Sequence, residues 1–261
     1  MRIVVKVGTS TLAHTGGRLN IRRVELMCKV LSDLKNAGNE IILVSSGAIG
    51  MGVGKLGLGG RPGDMPGKQA AAAVGQCELM YTYDKLFSEY GHTVAQILLT
   101  AEDIQDDRRR GNVHDTLDRL LQWGALPVIN ENDAVATDEI GIQTTIGEND
   151  TLSAIVSRLV EADILVLLSD IDGLYTADPR VDAKAQLIGV VEEITPEILA
   201  LAGGSGSSLG SGGMATKLKA AQIVMEAGID MVIANGEAPE ILYELFDGKQ
   251  VGTRFIGKVR S

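Results

Sequence analysis

Aromatic side chains are scarce in this chain: three Phe, five Tyr and one Trp make up 3% of 261 residues. A core must therefore be filled by aliphatic strands and alanine-rich helices, as large α/β folds allow. Cysteine is nearly absent. Cys28 and Cys77 stand far apart, with no C-x-x-C and no histidine at ligand spacing, which excludes a disulfide framework or a zinc site and reads as reduced cytosolic thiols. His14, His92 and His114 form neither a triad-like nor a metal-spaced pattern. Positive charge is short as well: 24 Lys and Arg against 34 Asp and Glu leave a net charge of -10. That balance argues against nucleic acid and anionic membrane as partners, and any anionic substrate must meet a local basic group. No apolar run is long enough to span a bilayer, and Met1 leads directly into a strand with no room for a signal peptide. The expectation is a soluble cytoplasmic protein.

Glycine is abundant, at 32 residues, and apolar strands alternate with helical periodicity. Arg2 to Val7 reads as a strand ending K-V-G-T-S-T, with Lys6 just before the break and Gly8-Thr9-Ser10 at the strand's carboxyl end. Lys6 is either a snorkelling lysine on an edge strand or a group aimed at an anion. Residues 21–37 follow helical spacing and stop at Gly38; Ile41 to Val44 is the next strand and runs into Ser45-Ser46-Gly47-Ala48. Small residues between a strand and a helix start are how backbone amides are aimed at an anion, although many βα turns need glycine for geometry alone. Gly50 to Gly67, rich in glycine and holding two prolines, reads as a mobile loop; its Gly-Lys pairs complete no phosphate-loop motif. Lys68 to Tyr90 is a long helix, with Met80, Tyr81 and Tyr83 for packing or subunit contact. Thr93 to Leu99 is a strand and Asp103 to Leu121 a helix, where Arg108-Arg109-Arg110 beside Asp106 and Asp107 makes a solvated face.

The densest stretch runs from Pro127 to Ser153. A strand, Pro127 to Ile129, meets Asn130-Glu131-Asn132-Asp133, and after a polar excursion Gly147-Glu148-Asn149-Asp150 opens a helix from Thr151 to Val160. Cap and turn chemistry explains one such cluster. Two clusters at the carboxyl edge of a sheet, where α/β folds bind ligands, favour a site for a small, polar, amine-bearing molecule. Ile164 to Leu168 is a further strand, ending Ser169-Asp170-Ile171-Asp172-Gly173. The Gly/Ser tract from 203 to 213 runs into a helix over Thr216 to Ala227 with Lys217 in its first turn, a placement that suits phosphate. Met231 to Ala234 is a strand and Val251 to Ile256 a closing edge strand. About six β-then-α units predict an open, mainly parallel, doubly wound α/β sheet sandwiched between helices in a single domain. Two lysines at βα edges, glycine-rich turns and acid-amide clusters together point to phosphoryl transfer, which is mostly positioning and charge neutralisation. An acceptor that is already a carboxylate needs no general base, which fits the lack of a placed histidine.

The segments K-V-G-T-S-T-L, S-S-G-A-I at 45–49, P-V-I-N-E-N-D-A-V-A-T at 127–137, G-E-N-D-x-L-S-A at 147–154, S-D-I-D-G-L-Y-T-A-D-P-R at 169–180 and G-S-G-G-M-A-T-K at 210–217 resemble, in order, the amino acid kinase family and within it the branch that phosphorylates glutamate. The resemblance implies transfer from Mg-ATP to the side-chain carboxylate of L-glutamate, the opening step of proline biosynthesis. It implies that Lys6 and Lys217 neutralise the moving phosphoryl group, Asp150 holds both lysines, and Gly8 and Gly47 donate N–H groups. Ser46, Asp133, Asn149, Asn130 and Glu148 would bind glutamate, with Asp133 taking the α-ammonium. Ser169, Asp170 and the loop Ser211, Gly212, Gly213, Met214, Ala215, Thr216, Lys217, together with Lys6, would hold the ATP; Mg²⁺ is the default divalent ion for ATP, and no residue is assigned to it as a ligand. Residues up to about 160 would serve glutamate binding and dimerisation and the remainder the nucleotide. Further implications are feedback inhibition by proline, a homodimer or homotetramer with the Lys68–Tyr90 helix in contact, and coupling to a glutamyl phosphate reductase. The sequence departs from the family in having Glu rather than Asp at 148, in a longer excursion over 141–146, and in ending at Ser261 without the PUA domain of many members. Another acceptor, such as N-acetylglutamate, and a non-catalytic amino-acid sensor are the competing readings; Asp133 speaks against the first and the paired lysines against the second.

Overall fold

The computed structural model describes residues 1–14, 18–136, 149–202 and 213–258. β1 (Arg2–Val7) leads through one-turn α1 (Thr9–Leu12) to α2 (Ile21–Asn36), whose cap Asn20 accepts from the Arg23 N–H. β2 (Glu40–Ser45) is followed by α3 (Ala48–Leu56) and the long α4 (Met65–Ser88), then β3 (Val94–Leu99), α5 (Ala101–Gln105), α6 (Asp107–Gln122) and β4 (Leu126–Glu131). Next come α7 (Asn149–Leu159), β5 (Ile164–Ser169), short β6 (Val190–Val191), α8 (Pro196–Leu201), α9 (Met214–Glu226), β7 (Asp230–Asn235), α10 (Ile241–Phe246) and β8 (Thr253–Phe255).

Among the described residues the strands form one eight-stranded sheet in the order β3-β4-β2-β1-β5-β7-β8-β6. The six strands from β3 to β7 run parallel, and β8 pairs antiparallel to β7 and parallel to β6. Side chains alternate across a strand, and the two cores divide accordingly. Ile3, Val5 and Val7 join α2 and α4 on one face, whereas Val4 sits with residues of α6, α7 and α9 on the other. Alternation puts Lys6 on the same face as Val4, beneath α7 and α9. In β2 and β4 it turns Ser45 and Asn130 towards α4.

Three expectations are corrected. Gly50 to Gly67 is not a mobile loop: α3 occupies its first half and α4 starts at Met65. Gly52 in α3 is a packing residue, as is Gly75 in α4. A Cβ on Gly52 would lie 1.8 Å from the Ala71 carbonyl oxygen, and one on Gly75 would lie 1.8 Å from that of Ala48. Close helix contact therefore demands glycine at both positions, and burial outweighs their low helix propensity. The Asp103 to Leu121 helix is two helices, broken at Asp106, whose extended backbone lets its carboxylate accept from the Arg109 N–H and cap α6. The strand near the C-terminus is not an edge, because β6 pairs outside it. Arg109 and Arg110 pair with Glu102, Asp103 and Asp107 on an exposed face, as expected. Tyr83 is fully buried and packs near Phe87, while Tyr81 points outward.

Candidate active site

β1 lies at the centre of the sheet, with β2 on one side and β5 on the other. The edge-strand reading of Lys6 therefore fails: the lysine is delivered to the middle of the carboxyl edge. Lys6 Nζ stands 2.7 Å from Asp150 Oδ1, and Lys217 Nζ donates to Asp150 Oδ2 at 3.0 Å. Asp150, in the first turn of α7, is 1% exposed, and both lysines are buried. Burial alone would raise the Asp150 carboxyl, but the two ammonium groups outweigh it and hold its pKa below the ordinary value. Burial pulls the Lys6 ammonium below its ordinary value, only partly offset by Asp150, and Lys217 adds to the lowering. One carboxylate between two cations leaves a net positive charge under low dielectric, which is a receptor for an anion. Gly8 begins α1 beside this cation pair; a Cβ there would come within 3.6 Å of Lys6 Nζ. Gly47 starts α3 in the left-handed region at φ 98°, which glycine tolerates without strain.

Asn149, next to Asp150, turns the other way. Its Nδ2 donates to Ser46 Oγ at 2.6 Å, to Asn130 Oδ1 at 3.2 Å and to the Ser45 carbonyl at 3.3 Å. Asn130 is buried at the end of β4 and in turn donates from Nδ2 to Gln76 Oε1 at 3.0 Å. Asp133 follows in the turn after β4 and lines a cleft of about 150 Å³ with Gln76, Gln96, Glu131 and Asn132. Burial raises the Asp133 carboxyl, against a smaller lowering by Arg61. A buried carboxylate of that kind gains most from an incoming ammonium group.

On the far side of β1, Ser169 ends β5 and donates from Oγ to Asp170 Oδ1 at 3.1 Å. Gly213 caps α9, and Met214, Ala215, Thr216 and Lys217 form its first turn. Glu148, Ser211 and Gly212 lie outside the described residues. Thr216 was expected as a nucleotide residue but its contact with Asp150 was not, and Gln76 was not expected from sequence at all. Thr216 Oγ1 lies 3.1 Å from Asp150 Oδ2 and 2.8 Å from the Gly213 carbonyl oxygen, tying the glycine-loop end to the central carboxylate. Gln76 on α4 reaches Asn130 across 54 residues. The first stands in a motif already singled out; the second carries no local signal beyond being a polar residue in an alanine-rich helix.

The family model for the amino acid kinase family matches residues 1–235. The chain belongs to the amino acid kinase family. It is 54% identical to the glutamate 5-kinase of Clostridium perfringens over 257 residues, covering 98% of this chain and 96% of that one. It is 56% identical to the glutamate 5-kinase of Clostridium tetani over 253 residues, covering 97% and 93%. Among solved structures, the isopentenyl phosphate kinase of T. acidophilum aligns with a TM-score of 0.66 at 18% identity, over 98% of this chain and 100% of that one. That likeness is one of fold, and it bears out the open, mainly parallel α/β sandwich of an amino acid kinase. Among the described residues no helix is long and apolar enough to cross a membrane.

Proposed function

We infer that this chain catalyses ATP-dependent phosphorylation of the side-chain carboxylate of L-glutamate, giving L-glutamyl 5-phosphate and ADP, the first step of proline biosynthesis. The observation that carries the reading is Asp150 gripping Lys6 and Lys217 at 2.7 and 3.0 Å while neighbouring Asn149 faces Ser46 and Asn130. Adjacent residues at the start of α7 thus face a cationic pocket on one side and an amide-lined one on the other. A glutamate oxygen attacks the γ-phosphorus from the Asn149 side, the bond to the bridging oxygen breaks, and that oxygen leaves as ADP. No proton moves, so no base is required. Lys6 and Lys217 neutralise the charge on the transferring group, and the Gly8 and Gly47 amides donate to its oxygens. Asp133 pairs with the α-ammonium, with Ser46, Asn130, Asn149 and Glu148 around the rest of the acceptor. Ser169, Asp170 and residues 211–217 hold the nucleotide.

Among the described residues no group of three acidic, histidine or cysteine side chains could hold a metal ion, and both Asp150 oxygens already face lysines. Mg²⁺ therefore fits as an ion held by the phosphates of ATP, where it supplies further charge neutralisation. The first part of the chain, to about residue 160, serves glutamate and dimer contact, and the rest serves ATP. Proline inhibition at the glutamate site, a homodimer or homotetramer, hand-over of the acyl phosphate to a glutamyl phosphate reductase, and a cytoplasmic location complete the proposal. An acceptor screen with Mg-ATP and hydroxylamine tests it. Hydroxamate should form from L-glutamate and not from N-acetylglutamate or aspartate. Product from a different acceptor alone would overturn the substrate, and no turnover with any acceptor would favour a sensor. Lys217→Ala should abolish product while a sensor would keep its binding.

A further inference from the structure

α4 carries polar side chains at positions 69, 76 and 83, and each bonds to a different wall of the acceptor side. Gln69 Nε2 donates to the Ala136 carbonyl at 3.0 Å, Gln76 Oε1 accepts from Asn130 Nδ2 at 3.0 Å, and the Tyr83 hydroxyl lies 2.8 Å from Ser45 Oγ. A spacing of seven keeps side chains on one helix face, drifting only about 20° per step, and places successive groups about 10 Å apart along the axis. Each contact meets a segment that the acceptor reading uses. Ala136 closes the turn that contains Asp133, through its N–H to the Asn132 carbonyl at 3.0 Å. Asn130 Oδ1 accepts from the Glu131 N–H and from Asn149 Nδ2. Ser45 directly precedes Ser46, whose hydroxyl accepts from Asn149. Asn149 Oδ1 is buried and has no hydrogen-bond partner among the described residues, so this amide offers an acceptor to a ligand. The α4 triplet makes no hydrogen bond to Lys6, Asp150 or Lys217, which lie across the sheet.

We propose that Gln69, Gln76 and Tyr83 of α4 are positioning residues for the acceptor pocket, with Gln76 the central one because it fixes the Asn130 amide against which Asn149 is set. The proposal rests on the glutamate reading above. Gln76→Leu removes the acceptor for Asn130 but keeps an apolar side chain of comparable reach. Gln76→Glu keeps an oxygen at the same reach and serves as the rescue. The KM for glutamate should rise on the order of tenfold in Gln76→Leu, the scale of one lost hydrogen bond, while the KM for Mg-ATP stays at its wild-type value and the melting temperature falls by no more than an unpaired Asn130 donor costs. Gln76→Glu should recover most of that loss. Gln69→Leu and Tyr83→Phe should show the same one-sided change, and they decide the matter if Gln76→Leu does not fold. An equal rise in both KM values, a lowered melting temperature with an unchanged glutamate KM, or no change at all would overturn the role. If wild-type protein turns over a different acceptor, the glutamate reading fails, and the same split measured with that acceptor still judges α4.

Discussion

Asp150 is held ionised by the two ammonium groups it separates, and it pairs with both of them. The depressed Asp150 pKa contributes stability that is present above the ordinary carboxylate value and is lost as pH falls through its folded value. The depressed Lys6 pKa has the opposite consequence at neutral pH. The folded chain binds that proton less firmly than the unfolded one, so its cost disappears as pH rises towards the ordinary lysine value. Asp150→Asn removes the counter-charge and leaves two buried cations facing each other. We predict a loss of turnover and of about 3 kcal/mol of stability at neutral pH, the scale of breaking a buried pair from one side. The deficit in melting temperature should narrow between pH 7 and pH 10 as Lys6, whose pKa burial lowers, gives up its proton; an equal deficit at both values would refute this account.

At the scale of elements, α3 and α4 are held together by glycine. Gly52 and Gly75 let each helix approach the other's backbone, and the contact sets α4 against the turn that carries Gly47 and Ala48. Gly75→Ala should separate the helices and cost about 2 kcal/mol or more, as overpacking does, with activity falling alongside the thermal midpoint. Gly111→Ala in α6 is the matched control: a Cβ there meets nothing within 4 Å. It should stabilise the chain by roughly 0.5–1 kcal/mol through helix propensity alone. Thermal denaturation of both variants checks the pair, and a Gly75→Ala protein as stable as wild type would mean that α3 and α4 are not closely packed in solution.

For the whole molecule, the strand order sets the residues proposed for the acceptor at the ends of β2 and β4 and those proposed for the nucleotide at the end of β5, with β1 between them. Binding must then bridge the two sides. Mg²⁺ alone has no cluster of described side chains to hold it. It should leave the melting curve unchanged, whereas Mg-ATP at a hundredfold its Kd should add about 2.7 kcal/mol. Differential scanning calorimetry with metal, nucleotide and both separates these cases, and a shift with Mg²⁺ alone as large as that with Mg-ATP would show a metal site within the protein.

Local chemistry was sufficient to read the parallel α/β class, most strands, and the residues that now meet around Asp150. Apolar runs ending in glycine, serine and lysine announce a strand edge, and amide-acid clusters announce a site, whatever the rest of the chain does. The role of Gly52 was not legible, because glycine signals flexibility locally and close packing only when a second helix is present. The break at Asp106 depended on a cap competing with helical periodicity. The central place of Lys6, the Thr216 contact and the Gln69, Gln76 and Tyr83 bonds were decided by strand order and helix docking alone. Sequence thus determined which groups are available at each strand end. Only the tertiary structure determined which of them share a face, because that depends on contacts between segments far apart along the chain.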